Sequence, residues 1–140
     1  MIESDCTWRL EIAIPSESQA GCEVIRQVLV RMESDSWNEA DIFAVQMALE
    51  EGIMNAIKHG NKRDCHKRVH VDICLYRGKC TIKIRDEGCG FNLADVADPT
   101  LAENLEKCSG RGVMLIQQFM DLVQYQGCGN QVEMTKNRTS

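Results

Sequence analysis

Two alternating runs separated only by Arg77-Gly78 constrain this chain more than anything else in it. Val69, Val71, Ile73 and Leu75 recur at every second position, and so do Cys80, Ile82 and Ile84, interleaved with Thr81, Lys83 and Arg85. That period predicts two strands, and a break this short joins them as an antiparallel hairpin. A sheet built on such a hairpin is not the all-parallel, doubly wound kind. No G-x-G-x-x-G follows the first strand of the chain, as a dinucleotide-binding sheet would require.

The other elements follow from period and punctuation. Trp8, Leu10, Ile12 and Ile14 alternate as a first strand, ended by Pro15. Cys22, Ile25, Val28, Leu29 and Met32 carry helical spacing from about Gln19 to Glu33. A longer helix is expected from about Glu39 to His59, with Asn38 as N-cap and Gly60-Asn61 as its stop. Ile42, Val45, Leu49, Ile53 and Ala56 line one face of it, and Phe43, Met47 and Met54 cover much of the rest, which predicts a largely buried helix. Residues 61–68 read as a charged loop and 92–109 as an aperiodic one. A third helix begins at Gly112, two strands span Leu122 to Gln126 and Gln131 to Thr135, and a polar tail follows. The order β-α-α-β-β-loop-α-β-β predicts an α+β fold. It is a two-layer α/β sandwich with a mixed, mostly antiparallel sheet and helices on one face.

The 140 residues fit a single domain, 1–140, with one core. A net charge of −5 without a strong basic run argues against nucleic acid as the main partner. The leading residues Met1 to Cys6 are polar and acidic, unlike a secretory signal, and no apolar run approaches spanning length. No membrane association and a cytoplasmic location are therefore expected. None of the eight cysteines has C-x-x-C spacing, so they read as free thiols packed as small hydrophobes, with Cys89 set apart by its place in a glycine motif.

Three motifs carry chemistry. Asp86-Glu87-Gly88-Cys89-Gly90-Phe91 follows a strand directly, so a fixed carboxylate stands beside backbone that can approach a ligand closely. Alone it could be a surface turn. Glu51 and Asn55 share one face of the second helix at i, i+4. The amide oxygen suits Mg²⁺, and the carboxylate could orient or deprotonate a nucleophile; a solvated polar stripe would look the same in sequence. Gly110-Arg111-Gly112 opens a helix whose free N–H groups suit a phosphate, or serve ordinary capping.

Together the three resemble the GHKL (Bergerat-fold) ATPases. Glu51-Gly52-Ile53-Met54-Asn55-Ala56 with Lys58-His59-Gly60 looks like their N box. The Asp86 motif looks like the first glycine box, and Ser109 to Ile116 like the second. The E-x-x-x-N-A-x-x-H-G wording and short length are similar to the anti-sigma-factor serine/threonine kinases, over about residues 8–136. The resemblance implies ATP and Mg²⁺ as cofactors. By position it assigns Glu51 as general base, Asn55 as Mg²⁺ ligand and Asp86 as acceptor of the adenine amino group. Gly88 and Gly90 fall beside the base, and Gly110 and Gly112 on the phosphate side of a lid at about 92–109. Thr135 is a strand threonine near adenine. Lys58 and Arg111 reach phosphates or are solvated charges. Cys89 and Asn92 depart from the usual wording without removing a functional group. His59 reads better as a helix-terminal histidine pairing with carbonyls. The resemblance also implies a sigma factor held inactive, an anti-anti-sigma antagonist phosphorylated on Ser or Thr, and a homodimer. Two other functions fit the motifs: a nucleotide-dependent partner-switching module without kinase activity, and the ATPase unit of a split histidine kinase. The presence of Glu51 disfavours the first. The lack of a dimerisation-and-phosphoacceptor helix ahead of the domain disfavours the second.

Overall fold

The computed structural model describes residues 6–88, 116–126 and 130–139. Along the chain come β1 (Cys6–Pro15), α1 (Ser18–Ser34), α2 (Glu39–Asn55), β2 (Arg68–Tyr76), β3 (Lys79–Arg85), β4 (Leu122–Gln126) and β5 (Gln131–Asn137). A π-helical turn, Ala56–Gly60, continues α2, and residues 116–119 are helical. The strands form one sheet in the order β1-β2-β3-β5-β4, and every neighbouring pair is antiparallel. No parallel pairing occurs among the described strands, so the sheet is not mixed. The last strand, β5, lies between β3 and β4 rather than at an edge.

Register explains why helices cover one face only. Ile12, Val71, Ile84, Val132 and Tyr125 form one row across the sheet, and Leu10, Ile73, Ile82, Met134 and Val123 another. Apart from Ile12, which is exposed at the sheet edge, these rows pack with Val24, Val28 and Met32 of α1 and Val45, Leu49 and Ile53 of α2 into a single core. The intervening row, Glu11, Asp72, Lys83, Glu133 and Gln124, faces the other way and is charged. There Arg9 pairs with Asp72 at 2.9 Å and Lys83 with Glu133 at 3.9 Å. One apolar and one polar face is the ordinary condition of an antiparallel sheet. Among the described residues no helix is long and apolar enough to cross a membrane.

Three local expectations change. Asn38 caps α2 by accepting from the Asp41 N–H at 2.7 Å, as its sequence position suggests. The α-helix ends at Asn55, however, and the Asn61 N–H bonds the Ala56 carbonyl at 2.8 Å, a π-type closure. The helix is also less buried than its composition implies. Phe43 is 50% exposed and meets Phe119 edge to face, with ring centroids 5.7 Å apart. The polar tail, finally, is structured. β5 runs to Asn137, and Arg138 covers the Trp37 ring at 5.0 Å while donating to the Asp35 and Ser36 carbonyls. Thr139 bonds both carboxylate oxygens of the buried Asp41.

Candidate functional site

Gly52 positions the first pair of candidates. A Cβ there would stand 2.6 Å from Ile84 Cδ1, so glycine lets α2 lie on β3 without shifting the end of the Ile84 side chain. With that face seated, Glu51 and Asn55 are left half-buried at the helix edge. Neither has a hydrogen bond or ion pair with another described residue. A half-buried carboxylate and amide without partners among the described residues suit a ligand, since polar groups taken partly out of water need compensation.

Asp86 leaves the end of β3 on the inward side of the sheet and is 7% exposed. Its N–H donates to the Asn130 carbonyl at 2.9 Å, and the Asn130 amide returns a bond to the Asp86 carbonyl at 3.2 Å. The carboxylate accepts from the Gly88 N–H at 2.8 Å. Burial pushes the carboxyl above its usual range; that N–H, Lys67 and Arg85 oppose the shift without cancelling it. A Cβ on Gly60 would fall on the Asp86 carboxylate, and one on Gly88 would fall on the Gly60 carbonyl. The turn after α2 and the turn after β3 are thus pressed together, and glycine at both positions permits the close contact that buries the acceptor.

Asn61, read from sequence only as a helix stop, fixes this junction. It is 1% exposed. Its amide donates to Ser16 Oγ at 3.0 Å and to the Arg68 carbonyl at 2.9 Å, and its oxygen accepts from the Glu87 N–H at 2.7 Å. One side chain ties the end of β1, the start of β2 and the Asp86 turn to the end of α2. Glu87 is held further by His70 Nε2 at 2.7 Å and the Arg68 N–H at 3.2 Å. The bond to His70, then the one from Arg68, lowers the Glu87 carboxyl below its usual range.

The remaining candidates divide. Lys58 is exposed on the π turn that separates Asn55 from Gly60. Thr135 is not brought to Asp86. It pairs with Thr81 and Leu122, on the sheet face opposite the buried Met134, while Gln131 is the residue opposite Arg85. Four residues of strand put Thr135 roughly 13 Å along the sheet from that point. The β5 side of Asp86 is supplied by Asn130 instead, a position the sequence did not single out. Gly90, Gly110, Arg111, Gly112 and the lid at 92–109 lie outside the described residues.

The described donor set fits a nucleotide. Asp86 offers a fixed acceptor for an amino group, oriented by the Gly88 N–H. Asn55 offers a neutral oxygen to a hard cation that takes its other ligands from phosphate and water.

Comparison with known proteins agrees with this geometry. Residues 16–136 match the family described as histidine kinase-like ATPase domain. The anti-sigma F factor of Oceanobacillus iheyensis is 31% identical over 133 residues, covering 91% of this chain and 89% of that protein. An anti-sigma F factor of Clostridium botulinum is 32% identical over 80% of this chain and 78% of its own length. The serine-protein kinase RsbW of Listeria monocytogenes is 29% identical over 66% of this chain and 63% of its length. The chain belongs to the histidine kinase-like ATPase family, in its anti-sigma-factor kinase branch.

Proposed function

We propose that this chain, acting as a single cytoplasmic domain in a homodimer, binds ATP and Mg²⁺ and holds a sigma factor inactive. It transfers the γ-phosphoryl group to a Ser or Thr of an anti-anti-sigma antagonist. The names of its relatives, anti-sigma F factor and serine-protein kinase, support the reading. The observation that carries it is the buried Asp86 carboxylate set against Gly60 and Gly88.

Asp86 accepts the adenine amino N–H, and its low exposure keeps water from competing. Gly88 and Gly90 let backbone lie near the base. Mg²⁺, when bound, supplies charge neutralisation of the phosphates. Asn55 would hold it through the amide oxygen, and Lys58, Gly110, Arg111 and Gly112 would hold the phosphates. Glu51, one turn before Asn55, takes the proton from the incoming hydroxyl. Positioning and electrostatics then do most of the work, as in other phosphoryl transfers.

The test is incubation with γ-labelled ATP and the anti-anti-sigma proteins of the same genome. Label is expected on Ser or Thr of one of them. ATP-dependent exchange of partners without label would replace the kinase reading with a partner-switching one. Label on a histidine would favour a split histidine kinase.

A further inference from the structure

The stretch 58–68 holds five permanent cations, Lys58, Lys62, Arg63, Lys67 and Arg68, with His59 and His66, on a chain of net charge −5. All of them except Lys67 are exposed. Elsewhere many described cations find carboxylates or aromatic rings: Arg9 with Asp72, Arg26 with Glu23, Arg31 with Asp35, Lys83 with Glu133, Lys136 with Asp41 and Asp121, Lys79 over Tyr76 and Arg138 over Trp37. None of the five forms an ion pair with a described carboxylate at salt-bridge distance, although the Lys67 charge reaches the Asp86 carboxyl. The two acids close by are already engaged. Asp64 accepts from the His66 N–H at 2.8 Å, and Glu87 is taken by His70 and the Arg68 backbone. The crowding is felt locally: burial first, then Lys58 and Arg63, press the His59 imidazole below its usual range.

The stretch is also rigidly held. Asn61 anchors it from inside, and the Arg63 N–H bonds the Ile57 carbonyl at 2.8 Å. Lys62 and Arg63 take left-handed backbone, with φ of 51° and 58°. Non-glycine residues adopt that conformation only where their surroundings impose it. Cations fixed in place lose less freedom on meeting a partner than cations on a loose loop.

We propose that residues 62–68 form a docking surface for an acidic polypeptide segment of a protein partner. Charge complementarity selects the occupant, and the fixed backbone makes the array specific rather than merely sticky. A nucleic acid is the less suitable occupant, because a compact patch on an acidic chain does not supply the extended positive track that a phosphate backbone follows. The surface does not depend on whether the chain phosphorylates its partner.

A fluorescently labelled peptide of alternating Glu and Ser serves as the probe, read by anisotropy. A Gln-for-Glu peptide and oligothymidylate serve as comparisons. The whole chain is expected to bind the Glu peptide, more weakly as salt rises, and the other two far less. The variant Lys62→Asn/Arg63→Asn/Arg68→Gln should lose on the order of tenfold in affinity, the sum of exposed pairs that are each weak. Asn tolerates left-handed backbone, so the fold should be kept. Mg-ATP binding should stay as in the unmodified chain, which separates this surface from the nucleotide site. If the triple variant melts early, Arg68→Gln alone is read, with a loss of about twofold expected. Arg63→Lys/Arg68→Lys should bind normally. Unchanged binding by the neutral variants, no binding of the Glu peptide to the unmodified chain, or preference for oligothymidylate would each overturn the proposal.

Discussion

The carboxylate of Asp86 occupies the space where Gly60 would carry its Cβ. The acceptor in the first glycine motif is therefore shaped by a residue of the helix-terminal motif, distant in sequence. Gly60→Ala must displace the Asp86 carboxylate, the acceptor itself. The variant should lose about 1–3 kcal/mol of stability, as overpacking does, and most of its nucleotide affinity. Thermal melting and ATP titration check both.

Asp86 should discriminate adenine from guanine. GTP presents a carbonyl where ATP has an amino group, so a buried carboxylate would face another acceptor. Asp86→Asn should weaken ATP binding by about 1–3 kcal/mol. Equal affinity for ATP and GTP in calorimetry would remove the assignment.

Burial raises the Asp86 carboxyl above its ordinary value, so ionisation is disfavoured in the nucleotide-free fold. Its contribution to stability is full below the ordinary aspartate range and is lost as pH rises through the raised value. Adenine binding uses the ionised form, so ATP affinity should rise with pH across the same window. Asp86→Asn should flatten both profiles. ATP titrations and denaturant unfolding over mildly acidic pH provide the measurement.

Glu51 and Asn55 should separate chemistry from binding. Glu51→Gln keeps size and should retain ATP while losing about 10²–10⁴-fold in phosphoryl transfer. Asn55→Ala should lose the dependence of ATP binding on Mg²⁺. Because neither side chain bonds another described residue, both variants should melt close to the parent. Early melting would mark the pair as structural.

Asn61→Ala leaves the Glu87 N–H, Ser16 hydroxyl and Arg68 carbonyl short of a partner. The Ser16 hydroxyl keeps its bond to the Lys67 carbonyl and the other two groups are only part-buried, so the loss should be about 1–2 kcal/mol, still more than for a surface substitution. Asn61→Asp keeps the acceptor for Glu87 but not the donors, and should fall between. Urea unfolding with an unchanged m-value distinguishes lost stability from a changed fold.

Features set by local pattern were legible from sequence. The 69–85 hairpin, both long helices and the Asp86 motif depend on period and on glycine. Features set by distant partners were not. Asn61 acts through Ser16 and Glu87, which lie 45 and 26 residues away. Thr135 looked right by residue type, but strand register decides its neighbours, and register puts Thr81 beside it and Asn130 beside Asp86. Phe43 fitted an apolar face by composition, yet no element covers it fully. The polar tail gave no pattern at all; its order comes from Asp41 and Trp37 on the far side of the chain.

The placement of β5 between β3 and β4 bears on how the protein is made. A chain emerging from the ribosome can pair β1, β2 and β3 early, because their contacts close within its first 85 residues. It cannot complete the sheet until residue 137 is out, and Asp86 lacks its Asn130 support until nearly that point. Domains fold as units during synthesis, and late non-local pairing slows that step. A nascent chain should thus be unable to capture nucleotide, and a ribosome stalled before residue 130 would display helices and a hairpin without a working pocket.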